Sequence, residues 1–476
     1  MPREFQQDGD AAFGGFATYP NNAALDKEKG MLSYAENIRI DEGVIEPRNG
    51  CTKVSNSNPA GNLEYVAASS GVNGDYIYLW SHNGVLQRYC TTNPSGLSTV
   101  TPVARPFRQV RGQGYQDLAT VEASQTANWT GDYDFTAACN VLGRMAYAKN
   151  DQVWFSLFGG VQPFNGDTVS LVQGTFDPVQ ALHFSYANRT LYAFGKRSVY
   201  MIKPGFTSMS LDIGASPSES FFHKVELLTS QEGILAKDSI AEVAGNIYYL
   251  SHDGIYTISL QNGMLEGQGP MSLPIKNVLS NLSAADLQKA VGISHFGRYY
   301  LSLPDPQNGH FHWVLVINPG NPGQFESLDY YPFQIKGLVT ARNASGLIKP
   351  YAVDTSGKIY ELETGTSDDG THFESKFITR NYNFSTELDK RYDAAAVRMN
   401  TNGSAHVEIY ANTINPDGKH LLDVANGNLG TAVRRALVGK KSTGLNLEVV
   451  VKNGRPSFYS CMVDYSIAGR TIFNIF

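Results

Sequence analysis

Ile247-Tyr-Tyr-Leu-Ser-His-Asp-Gly-Ile-Tyr-Thr-Ile258 is the segment from which the architecture of this chain can be read. Two runs of strand-forming residues, 247–250 and 255–258, flank Ser251-His252-Asp253-Gly254. Asp-Gly between two such runs predicts a hairpin with a type I′ turn, because that turn needs positive φ at both central residues. The pattern returns. Ile77-Tyr-Leu-Trp-Ser-His-Asn-Gly-Val-Leu86 stands upstream, and Tyr351-Ala-Val-Asp-Thr-Ser-Gly-Lys-Ile-Tyr-Glu-Leu362 stands downstream. A hairpin that recurs along a chain predicts a repeat architecture, in which each unit covers its apolar faces with its neighbours.

Further strand–turn–strand units fill the interval. Asn73-Gly74, Asn150-Asp151, Asn188-Arg189, Gly245-Asn246 and Phe296-Gly297 each separate two apolar or aromatic runs. The outgoing strands centre near residues 87, 155, 200, 257, 314 and 360, roughly 45 to 70 residues apart, and the shorter spacings match a four-stranded propeller blade. The prediction is an all-β protein with a β-propeller of about six blades over residues 62–365. A long β-sandwich is the competing arrangement, since strand counting does not order strands into sheets. Ser283-Ala-Ala-Asp-Leu-Gln-Lys-Ala290 predicts one short helix between blades, with Ser283 as N-cap and Asp286 three residues on.

The flanks read differently. Residues 1–61 are an arm: an irregular, Gly- and Asn-rich lead-in to residue 33, then a first hairpin about Glu42-Gly43 that stops at Pro47. Thr364-Gly-Thr-Ser-Asp-Asp-Gly-Thr371 is a polar linker. Residues 366–476 then predict a C-terminal β-sandwich-like domain with longer strands. Within it, 414–444 reads as a long loop carrying Arg434, Arg435, Lys440 and Lys441. These four are either a solvated basic loop or an assembly contact to a protein partner or to DNA phosphate.

Composition agrees with many short strands and polar turns. Only 17% of the 476 residues are charged, against roughly 25% in an average globular protein, while Gly (46), Tyr (26) and Phe (24) are plentiful. The net charge of −6 excludes a basic nucleic-acid-binding surface over the whole chain. On the wall of a tube the same acidity would repel DNA. Cys51, Cys90, Cys139 and Cys461 form no CxxC pair and read as free thiols. The first residues contain no apolar signal segment, and no run approaches the roughly 18 apolar residues of a membrane helix. The chain is expected in a cytoplasm, without membrane insertion.

No constellation offers chemistry. The sialidase Asp-box needs its Gly one position later than Ser251-His252-Asp253-Gly254 supplies it. Glycosidase chemistry needs two carboxylates at a set separation, and no short motif pairs them. His310-Phe311-His312 puts two rings on one strand face with no third ligand in view. Neither a Gly-x-Ser-x-Gly elbow nor a phosphate loop occurs. The expectation is no catalytic residue, no metal and no cofactor. Tyr248-Tyr249 and Tyr299-Tyr300 read as blade packing, one ring to each face of its strand.

Ala35-Glu-Asn-Ile-Arg-Ile-Asp-Glu-Gly-Val-Ile-Glu-Pro-Arg-Asn-Gly50 resembles the opening segment of phage tail proteins that precedes their propeller. The order that follows is similar too: Gln231-Glu-Gly-Ile234, the 247–258 hairpin, Ile275-Lys-Asn-Val278, the capped helix, and a strand ending Tyr300-Leu-Ser-Leu-Pro304. Most of the chain thus resembles the tail nozzle (tail accessory, or DNA-stabilisation) protein of short-tailed bacteriophages. The resemblance implies a homohexameric tube in the virion tail, made in the host bacterial cytoplasm. It implies a head-to-tail adaptor above, a tail fibre or tailspike outside, a needle or plug below, and transient passage of the genome. It implies no enzymatic residue. Two other classes compete: a propeller lectin or receptor-binding adhesin, which would repeat aromatic pockets from blade to blade, and a propeller glycosidase, which would set a carboxylate pair in the central funnel.

Overall fold

The computed structural model describes residues 5–467 apart from 11, 19–29, 56–62, 72–73, 82–84, 95, 101–134, 157–162, 172–176, 206–222, 262–263, 266–268, 306–311, 322–323, 384–388, 402, 404 and 415–416. Six N-terminal strands come first: β1 Phe5–Asp10, β2 Gly15–Phe16, β3 Met31–Glu36, β4 Ile38–Asp41, β5 Val44–Pro47 and β6 Cys51–Ser55. Five four-stranded antiparallel meanders follow. Blade 1 is β7–β10 (Leu63–Gly71, Gly74–Ser81, Leu86–Cys90, Leu97–Val100) and blade 2 is β11–β14 (Ala137–Val141, Arg144–Lys149, Gln152–Ser156, Pro163–Ser170). Blade 3 is β15–β18 (Val179–Ser185, Thr190–Gly195, Val199–Lys203, Lys224–Thr229) and blade 4 is β19–β22 (Ala241–Val243, Asn246–Leu250, Ile255–Ser259, Met264–Leu265). Blade 5 is β23–β26 (Val291–His295, Arg298–Pro304, His312–Ile317, Phe325–Tyr331). Blade 6 has β27–β29 (Ile335–Arg342, Ile348–Asp354, Ile359–Leu362), and its fourth strand is β6 from the N-terminal segment, pairing Leu362 with Cys51.

This is a β-propeller, as the repeat predicts. Its blades are glued by alternation along each strand. Tyr248 stacks on Tyr299 of blade 5 at 5.3 Å, while Tyr249 meets Phe194 of blade 3 at 5.1 Å. Tyr299 and Tyr300 divide in the same way, Tyr299 among residues shared with blade 4 and Tyr300 among residues shared with blade 6. Adjacent residues of a strand face opposite sides, so one dipeptide serves two joints. Shared buried clusters join blades 2 and 3, 3 and 4, 4 and 5, 5 and 6, and 6 and 1. Among the described residues no such cluster joins blade 1 to blade 2.

The 247–258 hairpin forms, but with a different turn. Leu250 pairs with Ile255, leaving a four-residue loop in which the Ser251 amide donates to the Gly254 carbonyl at 2.8 Å. Only Gly254 of these has positive φ (151°), and a Cβ there would lie 2.3 Å from Ser272 Oγ and 2.7 Å from Pro270 Cβ. Close approach of the next segment demands this glycine, and type I′ geometry does not. Turns with two successive positive-φ residues lie elsewhere, at Glu42-Gly43, Leu142-Gly143, Ala244-Gly245, Phe296-Gly297 and Asp369-Gly370. The short helix Ala284–Leu287 is capped as predicted, Ser283 Oγ accepting from the Asp286 amide.

The C-terminal strands are β30 Ser375–Thr379, β31 Lys390–Thr401, β32 His406–Ile414, β33 Asp417–Asn426, β34 Gly430–Ser442, β35 Leu445–Asn453 and β36 Ser457–Ile467. One sheet runs β34-β31-β36-β5-β4, with β1 also on β36; the other runs β3-β30-β35-β32-β33 and continues through a Leu328–Glu36 pair into blade 5. Val397, Met399 and Val463 of the first sheet share a core with Phe377, Val407 and Leu447 of the second. The sheets therefore face each other like a sandwich, but not as a separate unit. Sheet membership crosses the boundaries at 62 and 366 read from the sequence: β1 and β3–β5 build the sandwich and β6 completes blade 6. Residues 414–444, expected as a loop, are mostly the two strands β33 and β34.

Candidate functional site

The segment 37–50 runs between the propeller and the sandwich, and its polar residues meet partners from both. Asn37 adopts φ 54°, a conformation asparagine tolerates better than most residues. Its Oδ1 accepts from Arg48 Nε at 2.9 Å and from the Tyr330 amide at 2.8 Å, and its Nδ2 donates to the Glu374 carbonyl at 2.7 Å. Arg39 lies two residues on, in β4. Its Nη1 donates to Asp329 Oδ1 at 2.9 Å, and its Nη2 donates to Asp329 Oδ2 at 2.6 Å and to Glu363 Oε1. Ser327 Oγ donates to Asp329 Oδ1 at 2.9 Å and accepts from the Ile38 amide at 3.1 Å.

Arg48 is fully buried (0% exposed). It forks onto Asp368 at 3.0 and 2.7 Å, donates to the Tyr330 carbonyl at 2.9 Å, and lies between the rings of Tyr331 (4.3 Å) and Phe373 (3.9 Å). Gly50 beside it is dictated by space, since a Cβ there would sit 2.0 Å from the Ser367 carbonyl oxygen. On the blade 5 side, Glu326 accepts from Arg298 Nε at 2.7 Å and from the Ile40 amide at 2.5 Å.

Buried charges must be paired, and here the pairing sets the electrostatics. Burial alone would raise the Glu363 carboxyl, but the Arg39 guanidinium overrides it and holds the group down to about 2. Burial pushes Glu326 upward despite its bonds to Arg298. His295, with a ring centroid 6.2 Å from that of Tyr300, is pushed down to about 4 by burial. Both Asp329 and Glu363 spend oxygens on the same guanidinium in the interior, so this carboxylate pair is a fastening and not a substrate site. No local signal revealed it. Arg39 and Arg48 reach Asp329, Glu363 and Asp368 across about 290, 324 and 320 positions of sequence.

The remaining candidates fall apart as chemistry. Ser251 is buried (1%), His252 is exposed, and the Asp253 carboxylate accepts from the Tyr256 hydroxyl at 2.9 Å. His310 lies outside the described residues; His312 is buried and burial holds it down to about 4. Among the described residues no group of three His, Cys, Asp or Glu could hold a metal ion, and no helix is long and apolar enough to cross a membrane. The four cysteines are free, with Cys51, Cys139 and Cys461 buried. A depression of about 820 Å3 is lined by Phe13, Met31, Ile40, Asp41, Glu42 and Asn321 among others, and Asp41 there is engaged by Arg298.

The four basic residues sit on β34, an edge strand. Arg434 forks onto Asp423 of β33 at 2.6 and 2.7 Å, and Arg435 pairs with Asp464 of β36. Lys440 and Lys441 are exposed, and no ion pair of theirs occurs among the described residues. The strand was illegible because Arg434-Arg435 and Lys440-Lys441 break the polar–apolar alternation while small Ala and Gly carry the inner positions.

No family model matches the chain, and no curated protein matches it. Among solved structures it is similar to BBS1N in complex with ARL6DN (9% identity, 67% of this chain and 99% of that one, TM-score 0.33). It is also similar to the dihydro-heme d1 dehydrogenase NirN (12%, 80% and 67%, TM-score 0.31). A third is a family 43 arabinoxylan arabinofuranohydrolase from Bacillus subtilis (9%, 86% and 98%, TM-score 0.28). Likeness this slight carries no function, and the architecture stands on the strand pairing itself.

Proposed function

We propose that this chain is a structural protein of a virus particle, a subunit of the tail nozzle of a short-tailed bacteriophage. In this reading six copies form a tube below the adaptor, dock a fibre or spike and a plug, and extend the channel through which the genome leaves. The observation that carries the reading is the fate of the 35–50 segment on which the resemblance rests. Asn37, Arg39, Arg48 and Gly50 are all spent on fastening a propeller to a sandwich, as a load-transmitting scaffold requires. The buried carboxylates of this junction, Asp329, Glu363 and Asp368, are consumed by arginines, which fits a protein without catalytic work. The net charge of −6 suits a conduit that must not hold DNA.

The test is assembly. Electron microscopy of the purified protein, alone and with its adaptor, is expected to show six-fold rings, and antibodies to it are expected to label the tail of phage particles. A stable monomer that never joins particles would overturn the reading.

A further inference from the structure

We propose that the free edge of β34 receives an extended segment of a partner protein, rich in acidic side chains, as an added strand. The inference goes beyond the nozzle reading and stands without it.

β34 is long, and it is terminal in its sheet. It pairs with β31 from Lys390–Ser442 to Thr401–Gly430, and no described strand pairs with its other side. Each such edge presents unspent N–H and C=O groups, which recruit a further strand unless something prevents it. Proteins prevent it with short strands, proline, or charges placed on the edge. β34 has no proline and spans 13 residues. Its two central arginines do not guard it, because Arg434 is tied to Asp423 and Arg435 to Asp464, and the register shift and the lysines Lys440 and Lys441 that blunt its C-terminal end leave 430–437 open.

The exposed face is built for contact. Val433 is 56% exposed and Leu437 is 86% exposed, and Leu429 just before the strand is exposed too. Residues 433 and 437 have even spacing and lie on one face of the strand. The charge then names the occupant. At the far end Lys441 stands directly opposite Arg391, and Lys440 is its neighbour. Arg391 is already paired with Asp393 at 3.2 Å, so an incoming carboxylate would meet Lys440 and Lys441 as the charges without a partner among the described residues. An antiparallel pairing of β34 with the β34 of a second copy centred near Leu437 would set Arg434 and Arg435 against Lys440 and Lys441, so a second copy is repelled in that register. On the terminal strand of the other sheet, β33, Lys419 is engaged by Glu448 and Asp423 by Arg434, so it does not offer the same attraction.

The test uses the full chain and two labelled peptides of about ten residues, long enough to span most of β34. One alternates valine with glutamate, the other valine with lysine. Fluorescence anisotropy is expected to show saturable binding of the acidic peptide alone, and hydrogen exchange is expected to slow along 431–441. Lys440→Glu combined with Lys441→Glu is expected to weaken binding tenfold or more, and Leu437→Gln to weaken it as well, with no fall in melting temperature in either. The proposal fails if neither peptide binds, if both bind alike, or if the variants bind as the parent does. It also fails if exchange along 431–441 slows with protein concentration in the absence of peptide, since the occupant would then be a second copy.

Discussion

Arg48 and Arg435 make the same bond, a guanidinium to an aspartate, in opposite surroundings. Arg48 is fully buried, forks onto Asp368 and is stacked between two rings; Arg435 is two-thirds exposed and pairs with Asp464 on the face of an edge strand. Removing one partner of a buried pair leaves an uncompensated charge in the interior, whereas an exposed pair is screened by water and offset by side-chain entropy. The same chemistry is therefore a fastening at the propeller–sandwich junction and a nearly neutral ornament on β34. Function that depends on contact has room to act only at the second place.

The contrast can be broken most forcefully at the junction. Arg39→Ala and Arg48→Ala are each expected to lower the unfolding free energy by about 3–5 kcal/mol in urea titrations. A loss below about 1 kcal/mol would show that the junction fastens nothing. Arg39→Lys should recover only part of the loss, because an ammonium does not make the fork onto Asp329 while also reaching Glu363.

A pH titration sharpens the same point. His295 and His312 are held down to about 4 in the folded chain, while unfolded histidine titrates near 6.5. The unfolded state binds those protons first, so stability is full above about 6.5 and falls as pH drops toward 4. Glu363, held near 2 against about 4.5 when unfolded, adds a loss of the same sign at lower pH. Glu326 is raised and acts in the opposite direction. Replacing His295 by Gln is expected to reduce the slope of stability between pH 6 and 4.5 by on the order of 1 kcal/mol per pH unit. An unchanged slope would mean that His295 charges freely in the folded chain.

Smaller effects belong to the surface. Arg434→Ala is expected to cost about 1 kcal/mol or less, since its bidentate bond to Asp423 is only half-buried. Phe296 occupies a left-handed turn position (φ 45°) and is 75% exposed, where asparagine or glycine is the ordinary choice. Phe296→Asn is expected to raise the melting temperature slightly or leave it unchanged; a marked fall would show that the ring is held by contacts.

The blades were legible because their information is local. Period-2 alternation and turn residues mark each hairpin, and Tyr248-Tyr249 and Tyr299-Tyr300 announce a strand packed on both faces. What was illegible is non-local. That β6 would close blade 6 depends on Cys51 meeting Leu362, and that 31–47 would join the sandwich depends on β30 and β36. Arg39 and Arg48 were visible as residues of the segment 35–50, but their partners Asp329, Glu363 and Asp368 carry no mark in the sequence around them. β34 was missed for a third reason: its pattern is set by ion pairs to neighbouring strands, so charged residues appear on both of its faces.

The most direct test is the difference in unfolding free energy between Arg48→Ala and Arg435→Ala, measured by urea denaturation of the full chain at neutral pH. Burial predicts a loss of about 3 kcal/mol or more for the first and within about 0.5 kcal/mol of the parent for the second. Equal losses, or a larger loss at Arg435, would contradict the division of this molecule into a buried fastening and a contact edge.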